Sequence, residues 1–505
     1  MTDSDAQAEL IDHLQIVLAE RHQAPVERIE THISSLLLVG GRAYKIKKPV
    51  NFGFLDFSSL EQRKFYCEEE MRLNSRFAAD LYLAIHPIGG SLQQPEIDAD
   101  GPALEYMIEM QRFAAGYEFK HMAETGSLQP QWIDELADLL ADFHAGANVC
   151  QASPDASVDN ERDKCLQNFS QIQSLPDSVL QALGKSSLSL IEDLQQWTEQ
   201  QFMQLKPFLL QRLQSGFVKE CHGDLHLGNI TLHQGKVLIF DGIEFNRDFL
   251  WIDVISDLAF LVMDLCYEKL DDLAWRLLNR YLQHSGDYAG MALLNYYLVY
   301  RAMVRAKVSL LRLSQLEQRC EEQQAEYQAM LDSAISHIQL AIRLTQPQQP
   351  FLMITMGVSG SGKSYHSARL MQQQHALRLR SDVERLRLYP DVKQRYSASA
   401  RARVYQDLYR KAGALLEAGF HVILDATFLR RDEREQAYQL ALKQQAKFKI
   451  LFVEADKAEL EQRIVQRNQA ADDASEADIA VMHRQLEQLQ PLDSFEQQFV
   501  VRIEG

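Results

Sequence analysis

The octapeptide Gly-Val-Ser-Gly-Ser-Gly-Lys-Ser at positions 357–364 fits the pattern G-x-x-x-x-G-K-[ST]. It follows an apolar run, Phe351–Met356, and opens a helix-like segment, which is the context that a phosphate-binding loop requires and a chance glycine-rich turn does not. Backbone N–H groups there can surround phosphate oxygens at the positive end of a helix. We expect phosphate contacts from Gly357, Ser359, Gly360, Ser361, Gly362 and Lys363, with Lys363 also acting on the transferred phosphate and Ser364 ligating Mg²⁺.

A second constellation, Asp382 and Arg385, follows about twenty residues later in the run Arg-Ser-Asp-Val-Glu-Arg. An aspartate beside the terminal phosphate can accept a proton from an acceptor hydroxyl, and an arginine one helical turn on can hold a substrate anion. An aspartate at this point could instead only cap a helix. The combination resembles P-loop kinases of the polynucleotide-kinase and zeta-toxin type, which implies that Asp382 is a catalytic base and that Arg385 contacts the acceptor.

Asp425 ends the apolar run Val-Ile-Leu-Asp and matches a Walker-B position, where a carboxylate holds Mg²⁺ directly or through water. Arg463 and Arg467 lie four residues apart on a later helix-like segment. In similar kinases, arginines at this point belong to a lid over the phosphates; a solvated basic face is the alternative. The resemblance covers residues 351–505 and leaves the substrate open.

The densest group of polar residues is Cys-His-Gly-Asp-Leu-His-Leu-Gly-Asn at 221–229, followed by Phe-Asp-Gly at 240–242. It resembles the catalytic loop of aminoglycoside phosphotransferases and related small-molecule kinases, which have the protein-kinase fold. The resemblance implies that Asp224 orients the acceptor hydroxyl and takes its proton, and that Asn229 and Asp241 ligate Mg²⁺ bound to ATP. It covers about residues 28–345, tightly at this loop and loosely elsewhere.

A metal site made of His222, Asp224 and His226 is the rival interpretation of this loop. It leaves Asn229 unexplained and supplies no fourth ligand, so we favour a structural role for His222. Asp257 either supports the catalytic loop, as the resemblance implies, or caps a helix.

The N-terminal region should also supply a lysine for the phosphates and a glutamate to hold it. Lys45 fits the A-x-K pattern of the third kinase strand, and Lys47, on the same strand face, is the fallback. On the next helix we choose Glu69, four residues before Leu73, with Glu70 close behind. No G-x-G-x-x-G loop precedes the hairpin. The segment that would cover the phosphates is therefore unassigned, and Ser34 and Ser35 are the candidates.

Length, composition and charge set the wider limits. The 505 residues suggest two or three domains, and no apolar run approaches the ~20 residues that a membrane helix needs. The acidic N-terminus lacks the apolar core of a secretory signal. Six cysteines without a C-x-x-C pair predict reduced thiols and a cytoplasmic protein.

Charge is uneven along the chain. Residues 351–505 carry 23 Lys and Arg against 21 Asp and Glu, a net charge of +2, which leaves −20 for residues 1–350. An acidic first part disfavours nonspecific nucleic-acid binding there. It is compatible with a cationic substrate, although acidity that serves only solubility is the commoner case.

The order of elements completes the prediction. A helix, a hairpin across Gly40 and Gly41, and a helix capped at Ser58 or Ser59 precede a mostly helical region. The linker at 346–350 contains two prolines and is followed by alternating strands and helices. We therefore predict two domains: an α+β protein-kinase-like fold over 1–345 and an α/β P-loop NTPase fold with a parallel sheet over 351–505.

The predicted function is phosphoryl transfer from ATP with Mg²⁺ by both domains, to a hydroxyl of a small molecule or of a nucleotide or RNA end. No membrane and no obligate protein partner is expected. Two other classes stay open: one domain could bind nucleotide only as a regulatory module, and the C-terminal domain could be a plain ATPase. Asp382 favours a kinase over an ATPase, because hydrolysis does not require a base placed for an acceptor hydroxyl.

Overall fold

The computed structural model describes residues 3–52, 55–114, 116–151, 154–316, 321–395, 397–470 and 477–504. Contacts within the chain divide it into two compact units. One comprises residues 1–163 and 204–264, and the other comprises residues 164–203 and 265–505.

The strands, in chain order, are β1 (Val26–Glu30), β2 (Ser34–Val39), β3 (Arg42–Lys47), β4 (Tyr82–Gly90), β5 (Pro95–Ile97), β6 (Glu105–Gln111), β7 (Val218–Glu220), β8 (Ile230–His233), β9 (Lys236–Ile239), β10 (Trp251–Asp253), β11 (Phe351–Met356), β12 (Ala376–Arg380), β13 (His421–Asp425), β14 (Lys447–Glu454) and β15 (Val500–Glu504). The helices are α1 (Asp3–His22), α2 (Leu60–Ala78), α3 (Phe119–Glu124), α4 (Pro130–Gly146), α5 (Pro154–Gln173), α6 (Asp177–Leu183), α7 (Lys185–Gln214), α8 (Arg247–Leu250), α9 (Val254–Tyr267), α10 (Asp271–Ser285), α11 (Leu294–Gln315), α12 (Glu321–Thr345), α13 (Lys363–Gln373), α14 (Ser381–Leu388), α15 (Ala398–Glu417), α16 (Arg431–Lys443), α17 (Lys457–Ala470) and α18 (Ile479–Gln488).

The first unit is built on an antiparallel sheet with the order β1-β2-β3-β6-β4-β5. The predicted hairpin is present: β2 pairs with β3 from Ser34↔Lys47 to Val39↔Arg42, and Gly40 takes the positive φ of +54° that the tight turn requires. Helix α1 packs its Leu10, Leu14 and Leu18 against buried residues of the sheet. The sheet therefore holds Lys45 and Lys47 on a strand that is supported along its whole length.

Helix α2 begins at a capping box, as predicted. The N–H of Gln62 donates to the Ser59 hydroxyl, and the N–H of Ser59 donates to the Gln62 side chain. The buried side of the helix carries Cys67, Glu70 and Asn74, which recur at intervals of three and four residues. This phase decides which acidic residue of the helix faces inward.

The predicted catalytic loop lies in the first unit between two short pairs of strands. Strand β7 pairs with β10, and β8 pairs with β9, both antiparallel. The residues from Cys221 to Asn229 connect β7 to β8, and Asp241 follows the end of β9. The loop and Asp241 are thus brought together by the β8–β9 hairpin.

The second unit contains the predicted parallel sheet, with the order β12-β13-β11-β14-β15. All four of its strand pairings are parallel. The apolar runs before the P-loop and before Asp425 form β11 and β13, whereas no run in the sequence marked β12 and β15, which form the two edges. The carboxyl ends of β11 and β13 meet at the P-loop, where ligands bind in open α/β sheets.

Helices α6, α10, α11 and α12 and the parallel sheet belong to this same unit. Residues 346–350 join α12 to β11 inside it, so the division into compact units does not fall at the predicted linker. The division into domains 1–345 and 351–505 stays a prediction. Among the helices that the structure describes, none is both long enough and apolar enough to cross a membrane.

Replacing Ser59 by Ala should loosen the start of α2, because the capping box loses its hydroxyl acceptor. We expect a cost of about 1 kcal/mol, or roughly fivefold faster amide hydrogen exchange over residues 60–66. Mass spectrometry of the exchanged full chain measures this. Ser58→Ala is the control, since the Ser58 hydroxyl donates to Asp56 outside the helix at 2.6 Å and has only a long contact of 3.4 Å with Gln62. Equal effects of the two changes would contradict the assigned cap.

Candidate active sites

The centre of the first site is the ammonium group of Lys45, which lies between two carboxylates. Its Nζ is 2.7 Å from Glu70 Oε1 on α2 and 2.6 Å from Asp241 Oδ1 after β9. Lys45 is buried, and burial alone would lower its pKa, but the carboxylates of Asp241 and Glu70 outweigh this and raise the pKa well above the ordinary lysine value. The lysine is therefore a fixed positive charge.

The structure corrects the choice of Glu69 as the partner of Lys45. Glu69 pairs with Arg72 at 2.8 Å and faces away from the strand, whereas Glu70 is fully buried against it. The reason is helical phase: the face that meets the sheet carries Cys67, Glu70 and Asn74. Counting from Leu73 selected the neighbouring line of the helix.

Lys47, the fallback lysine, occupies the same cluster rather than an alternative one. Its Nζ donates to Glu70 Oε2 at 2.6 Å and to Glu244. Burial would raise the pKa of Glu70, but the two lysines lower it to about 2. The cluster holds three carboxylates and two ammonium groups, so the carboxylates are in excess. Burial raises the pKa of one of them, Glu244. No motif in the sequence marks Glu244, which lies three residues beyond Asp241.

The backbone around Asp241 is held in a conformation that few residues adopt. Its φ is +60°, its N–H donates to the Tyr82 hydroxyl at 3.2 Å, and the next N–H, of Gly242, donates to Asn74 Oδ1 at 2.8 Å. Asn74 lies one helical turn beyond Glu70. Helix α2 thus positions both the partner of Lys45 and the loop that carries Asp241.

The structure brings Asp224 and Asn229 together. The Asn229 amide donates to the Asp224 carbonyl at 3.0 Å and to its carboxylate at 3.3 Å. The Asp224 carboxylate is also 3.4 Å from His226 Nε2, and its side chain is 38% exposed. An acceptor can therefore reach this carboxylate from solvent.

The rival metal site is not supported by the geometry of His222. Its Nε2 lies 2.9 Å from the Phe240 carbonyl, and its Nδ1 accepts the N–H of Asp224 at 3.3 Å, so both ring nitrogens are used. Burial lowers the pKa of His222, which fits a neutral imidazole that donates from Nε2. His222 shapes the loop, as the sequence analysis favoured.

Asp257 lies directly beneath the catalytic loop. Its two oxygens accept the N–H groups of His222 at 3.1 Å and Gly223 at 2.9 Å, and His144 Nε2 lies 3.2 Å from one of them. Burial would raise the pKa of Asp257, but the hydrogen bond from His144 and its charge interactions lower it to about 2. The Cys221 thiol lies close enough to Asp257 and His144 for the three side chains to hold a metal ion. Both oxygens of Asp257, however, already accept N–H groups of the loop backbone.

The candidates for a phosphate cover in the first unit are both buried. The Ser35 hydroxyl donates to Glu30 at 2.9 Å, and the Ser34 side chain is 1% exposed at the start of β2. Among the described residues, neither side chain forms a hydrogen bond with Lys45. The assignment stays a prediction.

In the second unit the P-loop has the backbone that its glycines predict. Gly357 has φ +148°, and a Cβ there would lie 2.6 Å from the Val453 carbonyl; Gly360 has φ +86°. The Ser361 hydroxyl is buried and, within the described residues, has no hydrogen-bond partner. A phosphate oxygen would supply that partner, so the loop fits the nucleotide that its sequence implies.

Lys363 begins α13 and is buried, with its Nζ donating to the Val358 carbonyl at 2.7 Å. Burial lowers its pKa to about 8, because Asp425 and Asp382 offset only part of the desolvation. A bound phosphate would supply the close counter-ion that the Lys363 ammonium group lacks. Ser364, the predicted Mg²⁺ ligand, follows directly.

Asp425 ends β13 and is buried beneath the loop. Its Oδ2 accepts the Ser367 hydroxyl at 3.0 Å and lies 3.8 Å from the Arg378 guanidinium. Arg378 in turn donates to the Ser364 carbonyl at 3.0 Å. The two predicted metal ligands, Asp425 and Ser364, are therefore linked through shared partners. Oxygen ligands of this kind suit Mg²⁺.

Asp382 and Arg385 form an ion pair of 2.6 Å within α14. The N-cap of that helix is Arg380, without a side-chain hydrogen bond, and Asp382 lies inside the first turn. The alternative in which Asp382 serves as the helix cap is therefore wrong. The charge of Asp382 also acts on Lys363, whose pKa it raises against the larger effect of burial.

The two arginines of α17 differ in position. Arg463 lies 3.4 Å from the Ser361 carbonyl and pairs with Glu459 at 2.5 Å, which places it on the P-loop. Arg467, one turn further, donates to the Ala477 carbonyl. The sequence analysis missed Gln485 of α18, whose Oε1 accepts the N–H of Ser359 at 2.7 Å.

Two family models match the chain, one in each half. Residues 70–294 match the model described as the phosphotransferase enzyme family, and residues 352–492 match the model described as an AAA domain. The chain thus has an N-terminal kinase-like region and a C-terminal P-loop domain with a parallel five-stranded sheet.

Several solved structures resemble parts of the chain. A choline kinase from Cryptosporidium parvum is 12% identical with a TM-score of 0.38, over 65% of this chain and 95% of that one. A choline/ethanolamine kinase family protein from Mesorhizobium loti is 12% identical with a TM-score of 0.35, over 66% and 99%. A putative kinase from Chloroflexus aurantiacus is 23% identical with a TM-score of 0.26, over 31% and 89%.

Relatives similar over most of the chain are uncharacterized proteins of Mycobacterium tuberculosis and Mycobacterium bovis. Each is 31% identical over 424 residues, which covers 82% of this chain and 80% of the relative. The alignment is too long to fall within either family model alone. The chain therefore belongs to the same family as these mycobacterial proteins, and it combines a phosphotransferase-enzyme-family domain with an AAA-type P-loop domain.

Proposed function

We propose that this protein carries two ATP-dependent phosphotransferase sites, each of which transfers a phosphoryl group to a hydroxyl. The observation that carries the proposal is the position of Lys45 between Glu70 and Asp241, close to a loop that presents Asp224 and Asn229. A phosphate-binding lysine, two metal-ligand side chains and a solvent-accessible carboxylate are what phosphoryl transfer to an alcohol needs.

In the first site, Lys45 would hold phosphate oxygens, and Asn229 and Asp241 would hold Mg²⁺. MgATP supplies the phosphoryl group, with the metal neutralising charge on its oxygens. Asp224 positions the acceptor hydroxyl and takes its proton as the acceptor oxygen bonds to phosphorus and ADP leaves. The buried Asp257 keeps the loop backbone in place during this step, because its oxygens hold two loop N–H groups.

In the second site, the P-loop N–H groups and Lys363 would hold the phosphates, with Ser364 and Asp425 as Mg²⁺ ligands. Asp382 would take the proton of the acceptor, and Arg463 would approach the phosphates from α17. The orphan hydroxyl of Ser361 supports nucleotide binding here. Arg467 is proposed as a further lid residue.

The acceptor of the second site is proposed to carry an anionic group, as a nucleotide or an RNA end does. Arg385 supports this, because it lies beside the proposed base. Arg378 and Arg387 give no such support, because Arg378 donates to the Ser364 carbonyl and Arg387 pairs with the buried Glu384. A screen of metabolites, nucleosides and oligonucleotides with labelled ATP tests the proposal, and single variants of the full chain assign each activity to a site.

Glu70→Gln should reduce transfer at the first site by about tenfold or more, because a charged hydrogen bond to each of two buried lysines is lost. Glu69→Gln is the matched control and should leave the rate within about twofold, since Glu69 pairs with the half-exposed Arg72 and, among the described residues, with neither lysine. Steady-state kinetics on the full chain measure both. Equal losses would contradict the placement of Glu70 at Lys45.

Asp224→Asn should lower transfer at the first site by about 10²–10⁴ with little change in ATP affinity, because it removes a base and no phosphate contact. Asp241→Ala should instead weaken MgATP binding. Equilibrium nucleotide binding and turnover, measured on the same samples, separate the two effects. Unchanged turnover in Asp224→Asn would refute its role as a base.

Variants of the second site distinguish a kinase from an ATPase. Lys363→Ala should abolish both transfer and ATP hydrolysis, because the lysine acts on the phosphates whatever the acceptor. Asp382→Asn should cripple transfer while sparing most ATP binding, and Arg385→Ala should raise the KM for the acceptor more than that for ATP. Equal loss of hydrolysis and transfer in Asp382→Asn would leave a nucleotide hydrolase.

A further inference from the structure

Strand β12 is an edge of the parallel sheet and pairs with a neighbouring strand, β13, on one side. On its other side, Asn279 of helix α10 takes the place of a strand. The Asn279 amide donates to the Ala376 carbonyl at 2.9 Å, and its Oδ1 accepts the N–H of Arg378 at 2.7 Å. One side chain thus satisfies a donor and an acceptor that an edge strand otherwise leaves open.

The location of Asn279 makes these contacts strong. The residue is 2% exposed in the middle of α10, and its amide also donates to the Trp275 carbonyl at 2.9 Å. The ring of Trp275 stacks on His375 at 5.8 Å, just before β12 begins. Buried polar groups cost free energy unless they are paired, so loss of the amide leaves two strand groups unsatisfied.

The strand held by Asn279 carries residues of the second site. Arg378 reaches from β12 to the Ser364 carbonyl and to Ser367. Helix α14 follows β12 without an intervening residue, and it contains the proposed base Asp382 with its partner Arg385. The register of β12 therefore sets the position of α14.

A second anchor joins the far end of α14 to the same helix. Arg387 donates to the Gln283 carbonyl at 2.6 Å and pairs with the buried Glu384. Gly286 ends α10 with φ +76°, and a Cβ there would lie 2.8 Å from Arg387 Nε. Glu384 is held in turn by Lys411, whose Nζ lies 5.3 Å from the centre of the Tyr288 ring.

We propose that helix α10 is a positioning element of the P-loop kinase, and that Asn279 is the positioning residue that fixes β12 and, through it, the acceptor helix α14. This inference rests on the proposed function of the second site. It assigns a role to a segment that precedes the P-loop motif by more than seventy residues. Hydrogen exchange measures the protection of backbone amides and not phosphoryl transfer. The positioning role of Asn279 can therefore fail while the kinase assignment stands, and the kinase assignment can fail while the positioning role stands.

The test is amide hydrogen exchange of the full chain, read by mass spectrometry, for the native protein and three variants. Asn279→Ala should speed exchange over residues 376–388, including α14, by about tenfold or more, because two buried hydrogen bonds to β12 are lost. Gln283→Ala is the matched control on the same helix, since its contact with Arg387 runs through the backbone carbonyl. Protection of residues 357–364 by MgATPγS should need the same nucleotide concentration within about twofold in all proteins.

Asn279→Asp tests whether the hydrogen bonds to β12, and not merely the volume of the side chain, hold the strand. A carboxylate keeps the acceptor for the Arg378 N–H but cannot donate to the Ala376 carbonyl, whereas a protonated carboxyl can do both. Burial beside a carbonyl favours the protonated form. Protection of residues 376–388, corrected for intrinsic exchange, should therefore return as pH falls from about 8 towards 5 in this variant alone.

Three outcomes would overturn the proposal. The first is unchanged exchange over residues 376–388 in Asn279→Ala. The second is loosening confined to β12 with α14 unaffected. The third is equal loss of protection across the whole unit, including β14, without recovery of Asn279→Asp at low pH, which would make Asn279 a general fold residue.

Discussion

The first site depends on a cluster of buried charges that no single element could stabilise. Removing one partner of a buried ion pair costs about 3–5 kcal/mol, because the other charge is left without water or a counter-ion. Lys45 and Lys47 come from β3, Glu70 from α2, and Asp241 and Glu244 from the segment after β9. Glu70 alone brings one negative charge to the two lysines, so the charges balance only when all three elements have met, and assembly of the cluster is also assembly of the site.

The second site holds the lysine that we propose to bind phosphate in the opposite arrangement. Lys45 has carboxylates within 2.7 Å, and its pKa is raised; Lys363 donates to the Val358 carbonyl, the charges of Asp425 and Asp382 offset only part of its desolvation, and burial lowers its pKa to about 8. A lysine already paired with carboxylates must share its charge with an incoming phosphate. A lysine that lacks a close counter-ion gains one when phosphate binds. The P-loop thus leaves more of the electrostatic free energy for the nucleotide itself.

What could be predicted from the sequence was set by distance along the chain. The P-loop, the 221–229 loop and the β2–β3 hairpin are local patterns, and the structure has each where it was expected. Glu69 was chosen over Glu70 because helical phase was counted from Leu73, and only packing against the sheet fixes that phase. Gln485 reaches Ser359 across 126 positions, and no spacing rule reports such a contact.

Strand β12 shows why an element can escape detection and still be essential. Its sequence, Ala-Leu-Arg-Leu-Arg, alternates as an edge strand does, but its arginines read as a basic surface when their partners are unknown. In the structure, Arg378 is buried between the P-loop helix and Asp425, and its own backbone is satisfied by Asn279. On one side, the ladder with β13 fixes the register of this strand; on the other side, a side-chain amide of α10 pairs two of its open backbone groups. By our proposal, that amide ties the position of α14 to a helix outside the P-loop motif.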